Sequence, residues 1–208
     1  MPAFRLRSVR LRALAFSAVA SLSLAACSSD PTLYSLAPTP GVSQSGGPSV
    51  VEVRTPIVSA RLDRDEIVRQ DRDYTLKIAS GEAWSEALGN MIGHVLTRDL
   101  AQRLPGTTVF AQNDAVATKP AAYVELTVTA FNEDQNGQAV LQAMLSTHPA
   151  VGGIGPVMTL PVQLQEALPQ HTTRALVAAL SNMLGQAADI AAQRLRVMPS
   201  LPLPADSP

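Results

Sequence analysis

The sequence predicts an α+β fold, a mixed and largely antiparallel sheet covered on one face by two long amphipathic helices. Three observations carry this. Apolar residues recur at spacings of three and four over residues 83–104 and again over 173–195. The stretch "YVELTVTAF" (123–131) alternates with the period of two that a half-buried strand requires. Asn136-Gly137, a favoured dipeptide of tight hairpin turns, separates that strand from "QAVLQAML" (138–145), so the two return antiparallel.

Taken in order, the first element is "TLYSL" (32–36), a short strand. A loop follows that contains Pro38, Pro40, Gly41, Gly46, Gly47 and Pro48, and its composition is that of a flexible tether. "SVVEV" (49–53) is rich in β-branched residues and bounded by Pro48 and Pro56, as a strand would be, and Ile57-Val58 continues it past the break at Pro56. Strands over 66–70 and 74–79 flank Asp71-Arg72-Asp73, which reads as a charged hairpin loop.

From Ala83 the period changes. Trp84, Leu88, Met91, Ile92, Val95, Leu96, Leu100 and Leu104 make one stripe, with Glu86, Asn90, Arg98 and Gln102 opposite. Ser80 is placed to cap this helix, Glu82 to favour the positive end of its dipole, and Arg103 to favour its last turn before Pro105-Gly106 stops it. Residues 107–110 form a short strand ahead of the 123–145 hairpin. In the strand 123–131, Glu125, Thr127 and Thr129 face out, and Val124, Leu126 and Val128 face in.

Gly152-Gly153-Ile154-Gly155-Pro156 is a loop into a last strand over 157–164, which Pro161 confines to a sheet edge. The second helix starts after His171 with Thr172 or Thr173 as cap, and Leu176, Leu180, Met183, Leu184, Ala187, Ala191 and Leu195 mark its buried stripe. The Pro-rich segment 199–208 cannot continue it and reads as disordered. No internal repeat is present.

The N-terminus has its own pattern. Arg5, Arg7, Arg10 and Arg12 precede an apolar run from Ala13 to Ala26 that only serines interrupt, the pattern of a signal peptide over residues 1–26. The only cysteine of the chain, Cys27, follows directly and so has no internal disulfide partner. "LAACSS" resembles the lipobox of bacterial lipoproteins, in which the thiol takes a diacylglycerol and becomes the new N-terminus. Two or three acyl chains, at about 0.8 kcal/mol per buried CH₂, exceed the marginal anchoring of one chain. No later segment is expected to be long and apolar enough to span a membrane. Ser28 follows the cysteine where Asp would favour the inner membrane, so the outer membrane, periplasmic face, is the expected location.

The predicted organisation is therefore a signal peptide (1–26), a lipidated cysteine with a first short strand and tether (27–48), one α/β domain (49–198) and a Pro-rich tail (199–208). Without the four signal-segment arginines, 12 Lys+Arg stand against 17 Asp+Glu, a formal −5. An acidic chain with 4% aromatic residues and no basic run lacks the residues for phosphate tracking and base stacking, which argues against nucleic acid as partner.

Reagents for chemistry are missing from the pattern. His94, His148 and His171 have no metal-ligand neighbour at helical spacing, so no metal or cofactor is expected. Asp63-Arg64-Asp65 and Asp71-Arg72-Asp73 each enclose their own counter-charge and lack a calcium-loop pattern. The 152–155 glycines lack the Gly-Lys-Ser/Thr of a phosphate loop, and no Gly-x-Ser-x-Gly elbow occurs. An enzyme is not expected. Trp84, the only tryptophan, is expected in the core, with a partner contact as the alternative.

The order of pieces carries a resemblance: a lipobox cysteine, Tyr34-Ser35-Leu36, "VVEV", "ARLDRDEIVRQ", a helix opening "EAWSEAL" and running to "LTRDLAQRLPG", "VLQAML", and the closing "RALVAALSNMLGQAADIAAQRL". Across nearly the whole mature part the chain resembles the ABC-type transport auxiliary lipoproteins of the PqiC-like family. The most specific matches are Leu62-Asp63-Arg64 and Trp84-x-x-x-Leu88. It departs from the family at Met144, where a tryptophan is common, and in the low polarity of residues 148–155.

The resemblance implies a non-catalytic lipoprotein, with an MCE-domain protein and inner-membrane transporter components as partners in moving phospholipid between membranes. A homo-oligomeric ring suits a component that caps a channel, although the sequence counts no subunits. The competing expectations are a stand-alone lipid or small-molecule binder with an apolar cavity, and an envelope assembly or stability factor.

Overall fold

The structure is a computed structural model, and it describes residues 30–70, 75–116, 118–150 and 157–198. Two units divide the chain, Met1–Pro31 and Thr32–Pro208, and the fold described here is that of the second. Its elements are β1 (Thr32–Tyr34), β2 (Val50–Val53), β3 (Ile57–Val58), β4 (Glu66–Gln70), β5 (Leu76–Trp84), α1 (Leu88–Arg103), β6 (Thr108–Ala111), β7 (Ala122–Glu133), β8 (Gln138–Pro149), β9 (Met158–Ala167) and α2 (Thr173–Arg196).

The mixed, mostly antiparallel sheet is organised around β7. One edge of β7 pairs along its length with β8, which in turn pairs with β9, both antiparallel. The other edge takes β2, β3 and β4 one after another in parallel register, at Val51↔Ala122, Ile57↔Thr127 and Arg69↔Glu133. Pro56 explains the first interruption, since it cannot donate to a ladder. β5 pairs antiparallel with β4 and parallel with β1, and β6 pairs parallel with β2. Among the described residues β9 pairs with β8 alone, so Pro161 does lie on an edge strand.

Both helices cover one face of the sheet and touch each other. α1 packs on β2, β3 and β6, and α2 packs on β7, β8 and β9. Val124, Leu126 and Val128 are buried on this side of β7, while Glu125, Thr127 and Thr129 are exposed on the other, as the alternation requires. The expected stripe of α2 is buried in full, and Thr172 caps the helix by accepting from the Ala175 N–H.

Four expectations change. First, α1 starts at Leu88, not Ala83. The Trp84 N–H donates to the Asp65 carbonyl at 2.7 Å and the Ser85 N–H to the Tyr34 carbonyl at 2.9 Å, so this backbone is committed to the sheet. The spacing of Trp84 to Leu88 mimicked a helix because both side chains enter the same core from adjacent elements. Ser80 and Glu82 therefore lie on β5 and cap nothing in α1, whose N-cap residue Ala87 makes no side-chain bond.

Second, the loop after β1 belongs to the folded unit, where composition predicted a flexible tether. Third, α2 is by length and composition apolar enough to cross a membrane, against the expectation that no later segment is; 67% of its most apolar window is buried in the fold, as for a core helix. Fourth, β5 runs on past residue 79 to Trp84 and β8 past residue 145 to Pro149. Cys27, Asp71-Arg72-Asp73, the 152–156 loop and the 199–208 tail lie outside the described residues.

Candidate functional site

The helix pair and the segment laid across it form the most elaborate polar arrangement in the molecule. Residues 36–48 run as a strap over α1 and α2. The Leu36 N–H contacts Met91 Sδ at 3.1 Å and the Ala37 N–H donates to Ser181 Oγ at 3.1 Å. The Thr39 N–H donates to Asp99 Oδ1 at 2.7 Å, and the Gln44 N–H to the Arg103 carbonyl at 2.7 Å. Arg196 closes the far end, donating from Nε to the Ser45 carbonyl at 2.8 Å and from Nη1 to Gln44 Oε1 at 3.0 Å.

Under the strap lie ionic side chains removed from water. Arg103 is 1% exposed and Asp99 fully buried. The Arg103 guanidinium pairs with Asp189 and donates from Nη1 to the carbonyls of Thr39 and Asp99, both at 3.1 Å. Burial pushes the Asp99 carboxyl up to about 6, opposed by the Thr39 N–H and by Arg103. Asp99 Oδ2 is left without a hydrogen-bond partner. The strap reaches this depth because Gly185 offers no Cβ, which would collide with Thr39 Oγ1.

A second polar cluster joins the start of α2 to the sheet. Glu82 accepts from Tyr34 Oη at 2.9 Å and from Thr173 Oγ1 at the first turn of α2. An acidic residue does therefore serve a helix N-terminus, but the helix is α2 rather than α1. The bond to Glu82 raises the Tyr34 phenol above its ordinary pKa. Arg69 Nη1 pairs with Glu133 Oε2 at 2.8 Å, and His171 Nδ1 lies 2.8 Å from Glu133 Oε1. The cleft here, about 580 Å³, is open and lined by both charge signs.

The opposite face of the sheet carries an exposed row without charged side chains. Register places Ile57, Thr127, Met144 and Pro161 in one row across β3, β7, β8 and β9, and all four are exposed. Gln142 and Gln163 flank the row on one side and Glu125 on the other, the latter 3.5 Å from His148 Nε2.

Residues singled out in the sequence are dispersed. Cys27 lies outside the described residues. Trp84 is 5% exposed and packs at a tilt against Phe131, ring centroids 6.3 Å apart, which is the core role. His94, His148 and His171 each approach a different glutamate, Glu86, Glu125 and Glu133. Among the described residues no three His, Cys, Asp or Glu side chains gather as a metal site would require. Asp63, Arg64 and Asp65 are exposed at the turn before β4, beside the buried Leu62. The Asp99–Arg103–Thr39 arrangement was missed, although Asp99 and Arg103 sit at stripe positions of α1, three residues after the buried Leu96 and Leu100 respectively. Charge on an apolar stripe was the available signal.

Comparison with known proteins places this architecture. No curated protein matches the chain. A crystal structure of an uncharacterised protein superposes with a TM-score of 0.65 at 18% identity, covering 80% of this chain and 99% of the other. A protein from Xanthomonas campestris assigned to the family DUF330 follows with 0.62 at 16% identity, covering 79% and 94%. These likenesses concern the fold. The family of ABC-type transport auxiliary lipoprotein components matches residues 34–192, from β1 to the last turns of α2. Those matched residues span most of the chain, which therefore belongs to that family, whose role in transport is accessory rather than catalytic.

Proposed function

We propose that the protein is an acyl-anchored component at the periplasmic face of the outer membrane, docking an MCE-type assembly that moves phospholipid between membranes. The observation that carries this reading is the family match over residues 34–192, set directly behind a lipobox-like "LAACSS". Acylation of Cys27 is the anchor, and Ser28 in place of Asp directs the lipoprotein outward. Docking is favoured over stand-alone carriage of lipid because the two larger clefts, about 580 and 520 Å³, are open, whereas a carrier needs an enclosed apolar volume. The exposed row from Ile57 to Pro161 offers uncharged side chains that a protein partner can cover.

In-cell crosslinking of the intact lipoprotein, followed by detergent purification and mass spectrometry, tests this. An MCE-domain protein and inner-membrane transporter components are expected in the eluate. Recovery of only envelope-stress or cell-wall proteins would overturn the transport reading in favour of a bracing role.

A further inference from the structure

The distance between the acylation site and the folded unit is short. β1 begins at Thr32, so residues 28–31 alone lie between Cys27 and the sheet, a reach of five residues from Cys27 to Thr32. Five residues span at most about 18 Å when fully extended, and the headgroup layer of about 5–8 Å takes part of that. A tether running to residue 48 would reach about 75 Å instead. A folded unit of this size is about 40 Å across. With β1 and the strap bound into the body, the face around β1 must therefore lie against the bilayer.

That face carries a groove. A cleft of about 520 Å³ lies between β1 and the strap on one side and the first half of α2 on the other. Leu33, Val177 and Ala178 give it an apolar side, and among the described residues Arg174 is the only charged side chain that lines it. Leu33 is 60% exposed, one residue into the first strand. On a mature part of formal −5, a groove whose one charge is positive stands apart from the acidic average. A guanidinium beside exposed leucine matches the boundary between phosphate headgroups and acyl chains, where the fork of Arg binds phosphate.

We propose that this groove is a membrane-facing phospholipid site, seating a lipid of the same bilayer that holds the acyl chains of Cys27. Arg174 binds the phosphate and Leu33 enters the acyl boundary. The sheet face bearing Met144 then points away from the bilayer. The inference rests on the acylation of Cys27 and adds which surface meets the membrane and with what residues.

The test uses the full lipoprotein in vesicles of phosphatidylethanolamine and phosphatidylglycerol. Acylation consumes the only native thiol, so Leu33→Cys or Met144→Cys supplies a single site for a nitroxide spin label. The label at residue 33 is expected to lose collisions with a water-soluble nickel chelate and gain them with oxygen, while the label at 144 behaves as in water. Arg174→Glu, combined with the label at 33, is expected to restore much of the nickel accessibility. Mass spectrometry of the N-terminal peptide is read on the same samples. An acylated Cys27 with residue 33 as water-accessible as residue 144 would overturn the groove and leave the anchor standing. An unmodified Cys27 would overturn both.

Discussion

The β7–β8 hairpin and the strap over the helices are two connected stretches that the same sequence specifies in different ways. In the hairpin every instruction is local: alternation assigns the faces, a turn from Asp134 to Gly137 joins the strands, and Gly137 adopts the positive φ of +75° needed to enter the second strand. The strap has no such pattern. Its prolines and glycines describe a flexible chain, and its conformation comes from groups 50 to 150 residues away, among them Met91, Asp99, Arg103, Ser181 and Arg196. Local patterning thus specifies an element without its partners, whereas a segment held by side-chain bonds to distant helices is specified only by the assembled fold.

The comparison can be broken at its strongest point first. Arg103→Met removes the cation beneath the strap and leaves Asp99 uncompensated in the interior, where breaking a buried pair costs roughly 3–5 kcal/mol. Since Asp189 keeps access to water, a loss near the lower end, about 3 kcal/mol, is expected by urea unfolding. Limited proteolysis of the same variant should cut within residues 36–48 and spare the hairpin. Equal protection of the strap in variant and parent would mean that the backbone bonds alone hold it.

A pH series sharpens the same point. The Asp99 carboxyl is raised from 3.8 to about 6, so between these values the folded chain binds more protons than the unfolded one. Stability from this group is therefore greatest in acid, falls as pH rises from about 4 to 6, and is level above that. The ionised group costs the fold about 2–3 kcal/mol, since each pKa unit is worth 1.36 kcal/mol. Asp99→Asn keeps an acceptor for the Thr39 N–H and should abolish this share of the slope. Superimposable pH profiles of variant and parent would show that Asp99 titrates normally.

The smallest effect is expected in the hairpin. Gly137→Ala places a Cβ at positive φ and against the His171 imidazole, an exposed side chain that shifts at the expense of its contact with Glu133, so the loss should be about 1 kcal/mol. Thermal unfolding reads it, with proteolysis of the strap unchanged. A loss as large as that of Arg103→Met would show that the hairpin turn and the start of α2 are coupled.

The candidate site was legible in part. The family lay in linear motifs, the ordered blocks from Tyr34 to Leu195, which need no tertiary contact to be read, and the anchor proposed at Cys27 rests on "LAACSS" alone. The groove beside Arg174 was not, because it is made where β1, the strap and α2 meet, and no sequence spacing relates residues 33 and 174. Trp84 shows the converse failure: helical spacing to Leu88 gave a correct core position on the wrong element, since buried side chains satisfy either period over one turn.

The sequence by itself determined the two-layer fold, both helices but for the first turns of α1, the β7–β8 hairpin and the edge position of β9. Each of these follows from periodicity, turn chemistry or proline, which act over a few residues. Only the tertiary structure decided that β2, β3 and β4 line up along β7, that Glu82 serves α2, and that residues 36–48 bind to the body. Those outcomes depend on burying polar and charged groups with partners distant in the chain, and the cost of leaving such groups unpaired arises only once the core excludes water.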